Sequence, residues 1–337
     1  SVDLYAVIFE PYRYKTPFAQ YFLTQSKVIV QYISLLFWPL HQNLDYDFPL
    51  SHSFLEPAVF LSFLGLAGIL FAGIRSLKRY PLIGFGILWF FITLSVTSSI
   101  IPLNDVIFEH RLYLPSVGFL LALCSGFFYF IKKERIIVAL LCCAVLFFSF
   151  LTYRRNAVWA DDVTLWQDVA VKSPGKARSY ANLGLIYRKR GEYRKAVENG
   201  LMALKIGHLD HRSQAQVCVN LGAAFGELHM FEKEIYWCLL ALKWDPRNSQ
   251  AYADLGDAYS RLGNHEKALF YGKRAVKRAP GSDMALNSLG AIYARMGKYE
   301  EAVKCFKYAL VVHPDDENAE KNLFLALSLI KQKTPEV

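Results

Sequence analysis

A short polar segment between two long apolar runs holds the side chains of this chain that are best suited to binding chemistry. The stretch from Pro102 to Pro115 carries two carboxylates, an imidazole, a guanidinium and a phenol, which belong to Asp105, Glu109, His110, Arg111 and Tyr113. Polar groups at a membrane surface cost desolvation energy unless they are paired or used, and they commonly mark ligand paths. The pattern therefore favours a binding site over a solvated loop.

Arg111 is the first candidate for ligand binding in this segment. Its guanidinium is planar and permanently charged, and it can hold two phosphate oxygens at once, which suits a lipid-phosphate headgroup. A salt bridge to Glu109 or Asp105 is the structural alternative. These two acids are four residues apart and share one face of a helical turn, where they either orient His110 or Arg111 or remain solvated.

The other polar candidates of the first half each have a functional and a structural interpretation. His110 can shuttle a proton or donate to phosphate, or it can serve the structure alone. Tyr113 fits an aromatic anchor at the membrane interface. Asp45 and Asp47 alternate in an aromatic stretch, so on extended chain they face the same way and can hold an acceptor hydroxyl or a cation. A capping or turn role is the alternative for both.

Long apolar runs surround these residues and predict a membrane domain over residues 57–152. Four spans of close to the ~20 residues that cross a bilayer are expected, at about Pro57–Ile74, Pro81–Ile101, Leu112–Ile131 and Ile136–Thr152. Residues 1–56 are interpreted as an interfacial or extracytoplasmic segment with one short apolar helix at Ser26–Leu40. Whether that helix spans the membrane is left open.

Basic residues in the short loops predict the orientation of the spans. Lys and Arg are enriched on the cytoplasmic side of membrane proteins, and two short loops carry three each, namely Arg75, Lys78 and Arg79, and Lys132, Lys133 and Arg135. The loops at 45–56 and 102–111 then face outward. The same rule places the chain after Thr152 outside the cytoplasm.

The second half of the chain is a repeat array. Leu-Gly pairs recur at spacings of 38, 34 and 34 residues, beginning at Leu183, Leu221, Leu255 and Leu289. An aromatic residue follows each Leu by four positions, and Ala follows it by thirteen and by twenty, except at Glu234. This is the tetratricopeptide (TPR) pattern, in which Gly and Ala let two antiparallel helices approach closely.

The predicted array begins after a linking helix at 153–176 and occupies residues 177–337. Its repeats are expected at about 177–214, 215–248, 249–282 and 283–316, with a capping helix at 317–331. The fold class is therefore all-α, a polytopic transmembrane helix bundle followed by a TPR superhelix.

The array offers a concave groove for a polypeptide. The residue before each Leu-Gly pair lines the groove in such superhelices, and these residues are Asn182, Asn220, Asp254 and Ser288, with Asn322 at the matching position of the cap. A ladder of amides can hydrogen-bond an extended peptide backbone without reading its sequence. Asp254 and Ser288 depart from that ladder, and polar residues on an unused concave surface are the alternative.

Composition and motifs exclude several other functions. The net charge is +9, of which +2 lies in residues 1–152 and +7 in the remainder. Lys and Arg of the second half alternate with acids at helical spacing, without a single-sign block, so nucleic acid is not an expected partner. The sequence has no Gly-rich phosphate loop, no nucleophile elbow and no His or Cys cluster at metal spacing.

The sequence also resembles a known family. Residues 109–118, which read EHRLYLPSVG, resemble the signature of the transmembrane and tetratricopeptide-repeat O-mannosyltransferases and their bacterial relatives, which are C-type glycosyltransferases. The stretches 23–25 (LTQ) and 44–47 (LDYD) and the repeats after Lys176 resemble the same family in the same order. The resemblance implies a polyprenyl- or dolichyl-phosphate sugar as donor, a mannose-like sugar, and Ser/Thr hydroxyls of a polypeptide as acceptor.

In such enzymes a carboxylate deprotonates the hydroxyl, and cationic groups stabilise the departing lipid phosphate. The family's catalytic acid belongs to its first outward loop, which no segment of this chain matches. No catalytic residue is assigned, and the chain is interpreted as the C-terminal part of a longer protein of the bacterial inner membrane. No cofactor is indicated beyond the lipid-linked donor, and a divalent-metal requirement stays open. The alternative is a membrane-tethered TPR scaffold without catalysis.

Overall fold

The computed structural model of the chain describes residues 17–98, 103 and 105–333, and every regular element within them is a helix. The predicted all-α class is confirmed. The chain divides into two compact units with the boundary between Pro174 and Gly175. The predicted interfacial segment before residue 17, and the end of the second predicted span at 99–101, lie outside the described residues.

Six α-helices and one 3₁₀ turn form the described part of the first unit. They are α1 Phe18–Phe37, α2 Pro57–Ser76, α3 Pro81–Ser95, the 3₁₀ turn Glu109–Leu112, α4 Tyr113–Phe130, α5 Glu134–Trp159 and α6 Asp162–Lys172. Both α2 and α3 begin at a proline, which suits the first helical position because its missing N–H would have no partner there.

Three of the helical segments are long and apolar enough to cross a membrane, namely Pro57–Ser76, Glu109–Phe130 and Glu134–Trp159. Large apolar side chains on them, such as Phe71 and Leu146, are about 70% exposed. Apolar surface on this scale marks a lipid or partner contact. Within the remaining predicted span, Pro81–Ile101, the structure has a shorter apolar helix at Pro81–Ser95, and residues 96–98 form a turn and a bend after it.

Helix α1 is longer than the predicted short helix at Ser26–Leu40. It spans 20 residues and begins at Phe18, directly after Pro17. Its first half carries the polar residues Thr24, Gln25 and Ser26, which interrupt the apolar run and obscure the first two turns in the sequence. The structure buries all three, so α1 belongs to the core of the first unit.

Helix α5 also differs from its prediction, because it continues past Thr152 to Trp159. The predicted linking helix at 153–176 is therefore two separate elements. The helix is interrupted at residues 160–161. There the Asp161 side chain accepts a hydrogen bond from the Thr164 N–H and caps the start of α6. An aspartate in this N-cap position satisfies one of the unpaired donors of a helix start.

Close backbone contact joins α3 to α4. A Cβ atom added at Gly86 would lie 2.5 Å from the Gly118 carbonyl oxygen, and one added at Gly118 would lie 2.5 Å from the Gly86 oxygen. Small residues at such a crossing let apolar helices pack tightly without a hydrophobic driving force. The crossing fixes the start of α4, where the polar segment ends.

The second unit is the predicted TPR superhelix, built from four helix pairs and a single final helix. They are α7 Ala177–Lys189, α8 Tyr193–Ile206, α9 His211–Glu227, α10 Phe231–Trp244, α11 Ser249–Arg261, α12 His265–Arg278, α13 Asp283–Arg295, α14 Tyr299–Val312 and α15 Glu317–Lys333. The repeated alanines Ala203, Ala241, Ala275 and Ala309 are fully buried. This is the close helix packing that the sequence period predicts.

Glu234 is the exception among the repeated packing positions, since the equivalent residues are Ala196, Ala268 and Ala302. Its side chain is 5% exposed. Gly226 provides the space, because a Cβ atom there would lie 2.5 Å from a Glu234 carboxylate oxygen. Burial, together with the nearby carboxylates of Asp254 and Asp257, raises the pKa of Glu234 to about 8.

The raised pKa of Glu234 predicts a pH-dependent stability of α9 and α10. The unfolded chain releases this proton near pH 4.5 and the folded chain near pH 8, so stability is full below pH 4.5 and decreases as the pH rises to about 8. The loss is on the order of 2–4 kcal/mol. Glu234→Gln keeps the volume and removes the charge, so it should protect the amides of residues 211–244 from hydrogen exchange at pH 8.5 but not at pH 5.

Each variant is compared with the unmodified chain at the same pH, so that intrinsic exchange rates cancel. Glu232→Gln, which changes an exposed carboxylate on α10, is the matched control and should leave protection unchanged. Equal protection of the Glu234→Gln and unmodified chains at pH 8.5 would contradict the assignment.

Candidate functional site

The polar segment before α4 meets the loop after α1 at one end of the first unit. The Glu109 carboxylate accepts a hydrogen bond from the Asn43 N–H and another from the Tyr46 hydroxyl, each at 2.6 Å. Burial and the adjacent carboxylate raise the pKa of Tyr46. Glu109 thus joins two chain segments that are 66 residues apart at this contact, and its carboxylate serves as a positioning group.

Side chains of α1 hold the backbone of the polar segment. The Gln25 amide donates to the Val106 carbonyl at 2.9 Å. The Tyr32 hydroxyl donates to the Phe108 carbonyl at 2.9 Å and accepts from the Phe108 N–H at 2.8 Å. The sequence analysis did not predict these contacts. The signal that could have indicated them is the presence of polar residues such as Gln25 within the apolar run, since buried polar side chains are usually hydrogen-bonded.

Arg111 is oriented by uncharged groups. Its guanidinium donates to the Asp105 carbonyl at 2.8 Å and to the Val106 carbonyl at 3.3 Å. The guanidinium carbon lies 5.3 Å from the centre of the Phe108 ring. Carbonyl groups and an aromatic face fix the direction of a guanidinium without cancelling its formal charge.

Four of the five predicted headgroup residues line one cavity of about 770 Å³, which we call the headgroup cavity. Its polar lining comes from these four residues, Asp105, His110, Arg111 and Tyr113, and from two threonines, Thr93 and Thr97. Its apolar lining includes Ile92, Val96, Leu103 and Leu114. A polar site bounded by an apolar wall fits a ligand with a charged head and a hydrocarbon tail.

The remaining side chains of this region differ in exposure. The His110 ring stacks on Phe108 with centroids 5.0 Å apart, and the residue is exposed. Tyr113 is 88% exposed. Both side chains therefore lie where a ligand can contact them, and their predicted roles stay predictions.

Asp45 and Asp47 do not share one environment, contrary to the expectation from an extended chain. Asp45 is 3% exposed, whereas Asp47 is exposed. The reason is a bend at residues 44–45, which breaks the alternation of an extended strand. The Asp47 N–H donates to the Ser173 hydroxyl at 2.9 Å, which joins this loop to the end of the first unit.

The end of the first unit closes on the same loop. The Asn43 amide donates to the Ser173 hydroxyl at 2.8 Å, and the Lys172 ammonium donates to the Gln42 carbonyl at 2.7 Å. Asp168 pairs with Lys172 and with Arg155 at 2.7 and 2.6 Å. The chain therefore leaves the first unit at the end that carries Glu109.

The repeat array carries a second cavity of about 480 Å³, which we call the groove cavity. Three of the five predicted groove residues, Asp254, Ser288 and Asn322, line it. Its other polar side chains are Glu227, Glu234, Asp257, Arg261, Asn287 and Asn318. The other two predicted residues lie outside this lining, where Asn182 is half-buried and the Asn220 oxygen accepts from Gln216 at 3.4 Å.

Hydrogen bonds in the groove cavity link the ladder positions to residues outside the ladder. Asn322 donates to the Asn287 amide oxygen at 3.0 Å, and Ser288 donates to the Ala253 carbonyl at 3.2 Å. Asp257 lies three positions after Asp254 and so shares its helix face. The three-residue spacing of these two aspartates in the sequence is the signal that could have predicted a polar surface wider than the ladder.

Comparison with known proteins identifies the repeats. Models of the tetratricopeptide repeat match residues 177–207, 237–270 and 284–316. No curated protein matches the chain. These matches concern the second unit alone, and they confirm the predicted repeats.

Solved TPR structures resemble the array. A thermophilic TPR protein of Thermus thermophilus is 21% identical and covers 53% of this chain and 96% of its own, with a TM-score of 0.44. YrrB, described as a TPR protein with an unusual peptide-binding site, is 18% identical and covers 51% and 86%, with a TM-score of 0.38. The first TPR of Spaghetti, bound to an HSP90 peptide, is 22% identical and covers 37% and 98%, with a TM-score of 0.33. The three repeat models show that the chain contains tetratricopeptide repeats.

Proposed function

We propose that the chain is part of a membrane glycosyltransferase that uses a polyprenyl-phosphate sugar and transfers the sugar to Ser/Thr hydroxyls of a polypeptide. The observation that carries this proposal is the headgroup cavity, in which Arg111 lies beside an apolar wall. A polyprenyl phosphate needs both features, since its phosphate is anionic and its chain is a hydrocarbon. The resemblance of residues 109–118 to the O-mannosyltransferases supports the same donor.

Within this function Arg111 binds the donor phosphate and stabilises it as it departs. Its contacts to backbone carbonyls keep the guanidinium in place before the donor binds, which lowers the cost of binding. His110 and Tyr113 add hydrogen-bond donors at the cavity. Glu109 positions the segment through Asn43 and Tyr46 and is not assigned as the catalytic base.

The repeats present the acceptor polypeptide on the outer side of the membrane. This part of the proposal rests on the groove and on the loop charges that orient the spans.

A membrane-anchored TPR scaffold without catalysis is the second candidate function. The repeat matches favour it, since most such arrays act only by binding partners. The scaffold function gives no role to Arg111 or to the apolar wall of the headgroup cavity. Binding of a lipid phosphate therefore discriminates between the two functions.

Arg111→Ala should weaken binding of a polyprenyl monophosphate to the full chain in lipid nanodiscs by on the order of 10- to 100-fold, because charged hydrogen bonds contribute ~1.5–3 kcal/mol. Arg111→Lys should have an intermediate effect, since an ammonium is a point charge without the planar fork. The uncharged polyprenol should bind all forms equally. Lys78→Ala, in a basic loop that is predicted to face the cytoplasm, is the control and should bind normally. Unchanged affinity of Arg111→Ala would contradict a role of Arg111 in the donor site.

The predicted orientation can be checked by cysteine labelling in intact cells, with the six native cysteines replaced by alanine. A membrane-impermeant maleimide should reach Ser53→Cys in the loop before α2 and Glu266→Cys in the repeats. Lys78→Cys, in a predicted cytoplasmic loop, should be labelled only after lysis. Labelling of Glu266→Cys only after lysis would contradict an extracytoplasmic array.

The amide ladder predicts that Asn182→Ala together with Asn220→Ala weakens binding of an extended polypeptide to the full chain. The loss should be on the order of 5- to 30-fold, because one or two neutral hydrogen bonds contribute ~1 kcal/mol each. Asn199→Ala, in the second helix of the first repeat, is the control. Fluorescence anisotropy of a labelled peptide measures the affinity, and no change in the double variant would exclude the ladder.

A further inference from the structure

The groove cavity is more acidic than an amide ladder requires. Four carboxylates line it, from Glu227, Glu234, Asp254 and Asp257, against one guanidinium from Arg261. Asp257 is already neutralised, since Arg261 and Arg295 pair with it at 2.7 and 2.5 Å. The excess acidity of the cavity therefore belongs to Glu234, Asp254 and, at the exposed edge, Glu227.

Glu234 points to a ligand independently of this cluster. Its side chain is only 5% exposed, it lines the groove cavity, and its Oε2 atom has no hydrogen-bond partner within the described residues. The helix packing does not require a glutamate, because alanine occupies this position in the other three repeats. A buried acceptor without a donor costs free energy unless a ligand supplies one.

Asp254 repeats the same feature in the next repeat. Its Oδ2 atom is shielded from solvent and has no hydrogen-bond partner in the described part of the chain. Burial and the neighbouring Asp257 carboxylate raise the pKa of Asp254 to about 7. Both acids thus hold protons near neutral pH, because burial outweighs the attraction of the Arg261 guanidinium for Glu234 and of the Arg188 guanidinium for Asp254.

A further counter-charge for these two acids is better supplied by an organic cation than by a metal ion. Among the described residues, no group of three or more His, Cys, Asp or Glu side chains could hold a metal ion. An ammonium or guanidinium on a flexible stem can enter a cavity of about 480 Å³ and donate to carboxylates that are too dispersed for coordination. Asn287, Asn318 and Asn322 surround it with amides suited to a peptide backbone.

We infer that the groove cavity binds a lysine or arginine side chain of the polypeptide that lies in the groove, with Glu234 and Asp254 as its acceptors. This inference rests on the proposed acceptor-binding role of the repeats and adds the chemistry that selects the acceptor. Extended segments with a basic residue would be preferred, and acidic segments would be repelled. The amides then hold the backbone on either side of that residue.

The test uses the full chain in nanodiscs and short acetylated, amidated Gly-Ser-Ala peptides whose central residue is Lys, Gln or Glu. The Lys peptide should bind on the order of 10-fold more tightly than the Gln peptide, since charge-assisted hydrogen bonds are about twice as strong as neutral ones. The Glu peptide should bind most weakly. Equal affinities for all three peptides would overturn the inference while leaving the groove as a peptide site.

A matched pair of double variants distinguishes an effect of the groove cavity from an effect of the net charge of the chain. Glu234→Gln with Asp254→Asn should equalise the Lys and Gln peptides and retain binding of the Gln peptide, which also reports that the array is folded. Glu266→Gln with Glu300→Gln removes the same charge from exposed positions and should keep the Lys preference. Loss of the preference in the second pair, or its survival in the first, would overturn the inference.

Proton release provides an independent readout. The charged and titratable groups around the two acceptors are Glu227, Asp257, Arg261, Arg188 and Cys238. Near pH 7 the Lys peptide should displace protons from Glu234 and Asp254, so its calorimetric enthalpy should vary with the ionisation enthalpy of the buffer. The Gln peptide should show no such variation. Failure of every peptide to bind would contradict both this inference and the acceptor role, whereas lipid-phosphate binding tests the donor site separately.

Discussion

The backbone of residues 105–108 depends on side chains of α1 for its hydrogen bonds. This segment connects apolar helices and has no helix of its own, so its carbonyl and N–H groups need other partners. Gln25 and Tyr32 provide them at Val106 and Phe108. The carbonyls of Asp105 and Val106 are thereby positioned to receive the Arg111 guanidinium. The polar residues that interrupt α1 thus determine where the proposed phosphate ligand is held.

A second constraint acts in the repeats, where helices must approach closely at each Leu-Gly and Ala position. Most of these positions are satisfied by small residues, and the array follows from them. Glu234 violates the rule, and Gly226 compensates within the same repeat by making room for the carboxylate. A local violation with its own compensation indicates a function more strongly than a polar residue on an open surface does.

The sequence predicted most of the helices because their signals are local. The Leu-Gly period and the apolar runs each lie within one or two neighbouring elements, and the structure contains the four helix pairs and the helices at Pro57, Pro81 and Tyr113. The predicted start of α1 at Ser26 was wrong because Thr24, Gln25 and Ser26 are polar and interrupt the apolar run in the sequence. The structure nevertheless buries them inside the helix. The predicted end of α5 at Thr152 was wrong because Arg154 and Arg155 end the apolar run in the sequence, whereas the helix continues to Trp159.

The candidate site was only partly predictable, for a different physical reason. Residue type identified Arg111, His110 and Asp254, since few side chains supply a fixed cation, an imidazole or a carboxylate. Their partners come from distant segments, as when Asn43 and Tyr46 bond Glu109. A single sequence holds no record of such pairing. The same limit hid the groove cavity, which combines residues from several helices of the array.

The two cavities have opposite electrostatic requirements, and this difference separates the two substrates of the proposed reaction. A lipid phosphate is attracted by the cationic Arg111 and repelled by Glu234 and Asp254 once these are ionised. A basic polypeptide segment has the reverse preference. In the proposed reaction each substrate would therefore be directed to one unit of the chain by charge, without recognition of a long acceptor sequence. Specificity of this kind tolerates many acceptor sequences, provided that a basic residue occupies the groove cavity.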